Sequence, residues 1–224
     1  VSVTPCTAMK SEARRDGMMR KGISDVDSVL TIRELARLIK LNGIDVTNAD
    51  QEPADEPMEG RSSVSALAEI SGGMAEGVIR SVWYRLRKSE AERQMFRKLR
   101  SGGSFREASF STGTSEINVA VVDGLTGLEK LKESQDAGRK YHLIEVMTCP
   151  GGCINGGGLA FRDSKEDRKN RAKIIWQADE TDAVSIPDKS PVISNLFEKL
   201  IKENKEISDK RIFHAHFEKR NVLL

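Results

Sequence analysis

Nothing in the 224 residues approaches the ~18 consecutive apolar residues that a membrane helix needs, so no membrane partner is expected. Charge of one sign is not in excess either. Lys and Arg number 36 against 34 Asp and Glu, and the resulting +2 gives no field that argues for nucleic acid or an anionic surface. Cysteine is scarce. Three in a chain of this size make no disulfide framework, which points to a reducing compartment, the cytoplasm. The start lacks the basic segment and apolar stretch of a signal peptide, and the chain carries no internal repeat or low-complexity tract. It opens without Met on the strand-like Val1-Ser-Val3, which suggests a piece of a longer polypeptide. What is there is 38% hydrophobic and 31% charged, a soluble globular composition sized for one large domain or two small ones.

The organisation reads as alternating strands and helices. Residues 26–30 suggest a short strand, and Thr31-Ile-Arg-Glu34 has the form of a capping box. The helix after it is expected to bury Ile32, Leu35, Leu38 and Ile39 and to stop at Gly43. Residues 45–62, rich in Asp, Glu and Pro, read as a surface loop. Ser71-Gly72-Gly73 precedes a long amphipathic helix, expected from about Met74 towards Leu99 with Val78, Val82 and Leu86 in its buried stripe. Its basic second half, Arg85 to Arg100, reads as a solvated face, with partner docking as the alternative. Residues 105–111 and 116–123 form an expected hairpin around Thr112-Gly113-Thr114-Ser115. Val119-Ala-Val-Val122 is apolar on both faces and should be a central strand. A helix over about 125–137 and a strand over 142–147 then make a right-handed parallel crossover. Helices are expected at 165–179 and from Ser190-Pro191, with a short tail at 207–217.

The cysteines stand in turns rather than inside elements. Cys149 and Cys153 lie in Glu145-Val-Met-Thr-Cys-Pro-Gly-Gly-Cys-Ile-Asn-Gly-Gly-Gly158, and Cys6 in Val3-Thr4-Pro5-Cys6. Cys6 and Cys149 each follow a strand, and the carboxyl ends of parallel strands are where ligands gather. Soft thiolates in turns select iron–sulfur clusters, zinc or copper. The Cys-x3-Cys spacing is less typical of zinc, and the Pro-Gly-Gly insert lets backbone approach a cluster. An iron–sulfur site is favoured, with zinc and metal-free cysteines left open. A 4Fe-4S cube takes four cysteines, and this chain has three. Gly156 to Gly158 read equally well as a tight start for the following segment and as direct cluster contacts.

These residues carry a family resemblance. Thr4-Pro-Cys-Thr-Ala-Met-Lys-Ser-Glu12 resembles the second signature of the iron–iron (FeFe) hydrogenases, Met-Pro-Cys-x-x-Lys-x-x-Glu, and Glu145 to Gly158 resembles the third, Glu-x-Met-x-Cys-x-x-x-Cys-x-x-Gly-Gly-Gly. Val29 to Ile39 with Gly43-Ile-Asp45, Ser71-Gly72-Gly73 and Phe213-His-Ala-His216 are similar to that family too, so the likeness runs through the chain in order. It implies an α/β fold: one lobe with a mostly parallel sheet flanked by helices over 1–158, and C-terminal helices over 159–224, part of a two-lobed domain. It also implies the H-cluster, a 4Fe-4S cube joined through a cysteine to a two-iron subcluster that carries CO, cyanide and a dithiolate. Cys6 and Cys149 would ligate the cube, and Cys153 the cube and the two-iron unit. Thr4, Met9, Glu12 and Met147 would border the cofactor. The family's first signature, which supplies the fourth cysteine, is absent, so the chain by itself could also hold no cluster. Electron-transfer iron–sulfur domains or a ferredoxin would be partners, a signalling partner is a further candidate, and the exposed lobe would tend to self-associate.

Several departures narrow the expectation. Thr4 replaces the usual Met, and Met9 replaces the usual Lys, which in catalytic members donates to a cyanide; Met has no donor. Lys10 is adjacent but would project about 100° away on a helix. The usual Phe-Gly-x-Thr-Gly-Gly reads Ala68-Glu-Ile-Ser-Gly-Gly73. The resemblance therefore implies a slow or hydrogen-sensing variant. The alternative is a non-catalytic hydrogenase-like protein of iron–sulfur assembly, whose second signature, Pro-Cys-x-x-Lys-Lys, also disagrees with Met9. Plainer readings stand beside these: Lys10 and Glu12 as surface charges, and His142, His214 and His216 as structural residues.

Overall fold

The computed structural model describes residues 1–53, 55, 62–113, 115–159 and 164–203. The elements in order are β1 (Ser2–Thr4), α1 (Met9–Glu12), β2 (Met19–Arg20), β3 (Ile23–Ser24), β4 (Val29–Thr31), α2 (Ile32–Leu41), α3 (Val64–Leu67), α4 (Gly73–Arg87), α5 (Arg97–Arg100), β5 (Phe105–Ser111), β6 (Glu116–Asp123), α6 (Gly124–Asp136), β7 (Leu143–Met147), α7 (Lys165–Thr181) and α8 (Pro191–Glu203). The fold is α/β. β1 pairs β4 in parallel, and a three-stranded sheet runs β5-β6-β7, with β5 antiparallel and β7 parallel to β6. β2 and β3 form a small separate hairpin.

The Val119–Val122 run is the centre of this sheet, as its two-faced apolarity predicts. Val119 and Val121 point to a core with Ala75, Ile79, Phe96, Leu99, Ala108 and Phe110, under α4 and α5. Ala120 and Val122 point the other way, to Leu131 of α6 with Phe105 and Tyr141 beside it. All four are fully buried, and each valine is worth about 1.5–3 kcal/mol by burial.

α2 begins with the expected capping box: the Thr31 amide donates to Glu34 at 2.8 Å and the Glu34 amide to the Thr31 hydroxyl at 3.3 Å. The helix also stops at Gly43 as expected, which turns left-handed at φ 66° just past the Asn42 C-cap, but two other expectations need correction. The strand before it is 29–31 rather than 26–30, and the apolar stripe is not buried: Leu35 and Ile39 are half-buried while Ile32 and Leu38 are exposed.

The long helix to Leu99 is also corrected. α4 ends at Arg87 because Lys88 turns left-handed at φ 55°, its amide closing on Tyr84 O at 2.8 Å. The chain returns through a 3-10 turn at Arg93–Phe96 into α5, which carries Phe96 and Leu99 into the core. The buried face of α4 is not Val78, Val82 and Leu86, of which Val78 and Leu86 are exposed and Val82 half-buried, but Ala75, Glu76, Ile79 and Arg80. Two charges can enter that face because each finds an opposite charge there: Arg80 meets Asp179 of α7, and Glu76 meets Arg80 and Arg100. Arg80 Nη1 lies 2.7 Å from Asp179, Arg80 pairs with Glu76, and Arg100 reaches Glu76 at 2.7 Å and Asp179 at 2.9 Å. This network fastens α7 to the lobe.

The hairpin, α6 and β7 fall within a residue of expectation, α7 runs to Thr181, and α8 begins at Pro191, with the Ile193 amide on the Ser190 hydroxyl at 3.3 Å. The described part of the 45–62 loop, 45–53 with 55 and 62, is irregular, while 54 and 56–61 lie outside the described residues, as do the tail at 207–217 and its histidines. No helix among the described residues is long and apolar enough to cross a membrane.

Candidate metal centre

Cys6 follows β1 by two residues and Cys149 follows β7 by two, so both stand past the carboxyl ends of parallel strands. Cys153 opens a 3-10 turn over Cys153–Asn155. All three are unpaired and half-buried.

Main-chain contacts bring the two distant turns together. Gly158 N donates to Pro5 O at 2.8 Å, and a Cβ on Gly156 would stand 2.8 Å from the Pro5 carbonyl carbon. A Cβ on Gly158 would meet Thr31 and Pro5 O within 3.0 Å. Arg33 supports the same strip, its amide on Gly158 O at 3.1 Å and its guanidinium on Gly157 O at 2.6 Å. Gly156 and Gly158 thus serve close packing between the signatures, while Gly157 is exposed.

The loop between Cys149 and Cys153 is docked on the segment before α4. Ile70 and Gly152 form an isolated bridge, Ser71 N donates to Gly151 O at 3.0 Å, and Ile154 N to Glu69 O at 3.3 Å. Gly152 has φ 91°, and a Cβ there would lie 2.6 Å from Glu69 O, so no other residue fits. From the other side, Ile70 and Ile154 pack on Ala172, Ile175 and Trp176, and Arg171 donates to Ile154 O at 2.8 Å, so α7 braces the Cys153 turn.

Burial pushes the Cys153 thiol up, and negative charge on Cys6, Glu69 and Cys149 pushes it further. Among the described residues, no three His, Cys, Asp or Glu side chains close round a single ion. Soft thiols carried on adjoining turns suit thiolate-bound metal groups, iron–sulfur clusters among them.

The remaining sequence-predicted residues lie around this joint. Thr4 is buried, and its hydroxyl accepts the Cys6 amide at 3.1 Å. Met9 and Glu12 are half-buried on α1, with Arg15 3.9 Å from Glu12. Met147 is half-buried at the end of β7, in register with Asp123. Lys10 is turned away: its Nζ donates to Val29 O at 2.7 Å and pairs with Glu34 at 2.9 Å.

Sequence reasoning missed a buried polar knot behind the loop. Asp123 accepts from the Ser71 hydroxyl, from Arg106 at 3.2 Å and from Gly151 N at 2.9 Å. Glu145, in the signature but without an assigned role, accepts the Gly72 and Ala75 amides at the start of α4 at 2.6 and 2.7 Å. Burial pushes its carboxyl up against the pull of those amides and of Arg106. The available signal was an acid ending an otherwise apolar central strand, at the carboxyl end where sites form.

The family described as "Iron only hydrogenase large subunit, C-terminal domain" matches residues 1–157. The chain belongs to this family. It is 32% identical over 225 residues to the NADP-reducing hydrogenase subunit HndD of Solidesulfovibrio fructosivorans, covering 100% of this chain and 38% of that protein. It is 30% identical over 230 residues to the cytosolic iron-sulfur assembly component 3 of Mus musculus, covering 97% and 47%. The solved FeFe-hydrogenase HydA1 from Chlamydomonas reinhardtii has the same fold, with a TM-score of 0.74 over 96% of this chain and 62% of that one, at 24% identity. The chain thus spans less than half the length of these two curated relatives. The family holds both hydrogenases and an iron–sulfur assembly component, so membership alone does not establish turnover.

Proposed function

We propose that Cys6, Cys149 and Cys153 ligate an iron–sulfur cluster of the H-cluster type, and that the complete protein interconverts hydrogen with protons and electrons as a slow or hydrogen-sensing variant. The observation that carries this is the joint between the two signatures: the Pro5–Cys6 turn sits directly on Gly156–Gly158, making one thiol-bearing site from residues some 150 apart in sequence. Cys6 and Cys149 would hold the cube and Cys153 the cube and the two-iron unit, with Thr4, Met9, Glu12 and Met147 at its border. A cube takes four thiolates, and the fourth falls to a segment outside these 224 residues. When bound, the group supplies the redox chemistry and the open metal position; the chain supplies the grip. Electrons would come from iron–sulfur domains or a ferredoxin, and in a sensing role a signalling partner would read the state. Three cysteines without a disulfide framework favour a reducing compartment, and we read the protein as cytoplasmic on that ground.

The slow or sensing variant rests on Met9 and Lys10. Met9 donates no hydrogen bond, and Lys10 is held by Val29 O and Glu34, facing β4 and α2 rather than replacing it. A lost charge-assisted bond is worth about 1.5–3 kcal/mol. Infrared absorption of the full-length holoprotein tests the reading: bands of CO and cyanide ligands are expected, with hydrogen turnover that rises in Met9→Lys and a shift of the cyanide bands. Bands absent from an iron-loaded protein would move it to the second reading, a cubane-only iron–sulfur assembly role, which the likeness to the assembly relative favours although Met9 departs from that signature as well. Bands and turnover unchanged by Met9→Lys would refute the role given to Met9.

A further inference from the structure

The loop between Cys149 and Cys153 contains two consecutive left-handed glycines, Gly151 at φ 86° and Gly152 at φ 91°. Glycines in sequence give the turn its shape at the cost of freedom in every other shape, so something must hold it. Three of its anchors are main chain: Gly152 N on Cys149 O at 2.9 Å, Ser71 N on Gly151 O at 3.0 Å, and Ile154 N on Glu69 O at 3.3 Å. These form whatever the side chains are. Two further anchors depend on the residue, and one is local, Asn155 Nδ2 donating to Pro150 O at 3.2 Å; the other comes from a distant strand. Gly151 N donates to the Asp123 carboxylate at 2.9 Å.

Asp123 is only 7% exposed and its two oxygens are divided. Oδ2 takes Gly151, while Oδ1 takes the Ser71 hydroxyl and Arg106 Nη2. Arg106 is fixed in turn by Ser71 and by Ser101 O at 2.5 Å. It holds this posture although its buried Nε finds no partner among the described residues. A guanidinium that leaves one donor unsatisfied in order to meet a carboxylate marks the carboxylate as the fixed point of the group. Asp123 also stands in register with Met147, so the strand that delivers Cys149 and the strand that delivers the carboxylate are hydrogen-bonded neighbours. Both ends of the Gly151 peptide are therefore clamped, its N–H by Asp123 and its C=O by Ser71, midway between the two thiols.

We propose that Asp123 is a positioning residue for the cluster thiolates: its carboxylate fixes Gly151 and with it the separation and direction of Cys149 and Cys153, while Ser71 and Arg106 keep the carboxylate aligned. This rests on the iron–sulfur reading of the cysteines. The test uses the full-length protein in two states. In the apo state, amide exchange across Gly151–Ile154 and the alkylation rates of Cys149 and Cys153 are measured for wild type, Asp123→Ala and Asp123→Asn. Loss of a hydrogen bond to a charged acceptor should raise exchange at Gly151 roughly 10- to 100-fold in Asp123→Ala and change the ratio of the two alkylation rates. Asp123→Asn keeps an oxygen for Gly151 N–H and should restore most of both. In the holo state, Asp123→Ala should shift the cluster's reduction potential or its electron paramagnetic resonance signature. Phe96→Ala, a core change remote from the loop, is the control for lost stability alone. Exchange, alkylation ratio and potential that match wild type, or that follow the Phe96→Ala control, overturn the proposal. If Asp123→Ala does not fold, Ser71→Ala must produce the same changes in smaller measure, and its failure to do so overturns it. A wild-type protein that takes up no iron refutes the reading of the cysteines, while the apo-state rates still decide whether Asp123 holds the thiols.

Discussion

The joint between the two cysteine turns can be broken with one methyl group. Gly156 has φ −66° and ψ 145°, a conformation any residue adopts, so Gly156→Ala carries no backbone strain. Its Cβ, however, would stand 2.8 Å from the Pro5 carbonyl carbon and closer still to the oxygen, inside the 3.0 Å that real Cβ atoms essentially never cross. The obstacle is main chain, so no rotamer relieves it: either the Cys6 turn or the Cys153 turn moves. That movement also pulls Pro5 O from Gly158 N, a bond of 2.8 Å. Overpacking of this kind costs about 1–3 kcal/mol, the strained bond about 0.5–1.5 kcal/mol, and the stiffer unfolded chain returns about 0.4–1 kcal/mol, leaving a net loss of about 1–3 kcal/mol. Gly157→Ala is the matched control one residue away, since its Cβ would find only Thr7, at 3.4 Å or beyond, and the site is exposed. Denaturant unfolding of the apo protein should show the loss in Gly156→Ala and not in Gly157→Ala. Reconstituted with iron and sulfide, Gly156→Ala should retain less iron per chain. Equal stability and equal iron content in the two variants would refute the claim that the signatures meet at this contact.

Two further outcomes follow from the buried and capping charges. Burial alone would push the Asp179 carboxyl up, but Arg80, the Ser63 hydroxyl at 2.6 Å and Arg100 hold it well below the usual carboxylate range. Asp179→Asn leaves Arg80 and Arg100 with Glu76 alone and should destabilise the protein by about 3 kcal/mol at neutral pH; because a lowered folded pKa gives stability above the unfolded value and loses it below, the gap to wild type should narrow as pH falls under about 4, measured by thermal unfolding. At α2, the bond from the Thr31 amide, then Lys10 and the Thr31 hydroxyl, bring the Glu34 carboxyl down to about 2, so the helix should lose support as pH falls from about 4.5 towards 2 and Glu34→Gln should flatten that dependence, while Thr31→Val should cost about 1 kcal/mol of stability at neutral pH, and less as Glu34 protonates; a circular-dichroism titration that is the same for wild type and Glu34→Gln would count against the cap.

How far the sequence discloses this molecule depends on whether a feature is local. The hairpin, α6 and β7 are legible because apolar residues that face two covered sides leave an unbroken run, Val119–Val122, with turn residues at its borders. The α2 cap is legible because its partners are three residues apart. The buried face of α4 is not. From one helix Glu76 and Arg80 look like outward charges, and both are buried instead because Arg80 finds the Asp179 carboxylate 99 residues later, on α7, while Glu76 is held by Arg80 and Arg100. The apolar stripe of α2 misleads in the opposite sense: Ile32 and Leu38 have the spacing of a core face yet are 41% and 47% exposed among the described residues. At the site, the cysteines announce themselves through their turns, whereas Ser71, Arg106 and Asp123 come from three segments whose meeting only the folded chain reveals.

The glycines of the third signature bear on what such a signature means. Gly152 lies against Glu69 O and Ser71 N, Gly156 against Pro5, and Gly158 against Pro5 and Thr31. Each is required by protein packing on protein, before any cofactor contact is considered. The strongest motif in the chain is therefore a prescription for packing its cysteine turns on the neighbouring chain, and a hydrogenase-like relative of iron–sulfur assembly would need the same prescription. These glycines therefore do not tell the two activities apart. Met9 is half-buried on α1 and makes none of the main-chain contacts that join the turns, so Met9→Lys varies a side chain beside the turns while Pro5, Gly156 and Gly158 keep their residues. A signature match then reports how the turns are packed, and side chains outside that packing are where the difference in activity is to be sought.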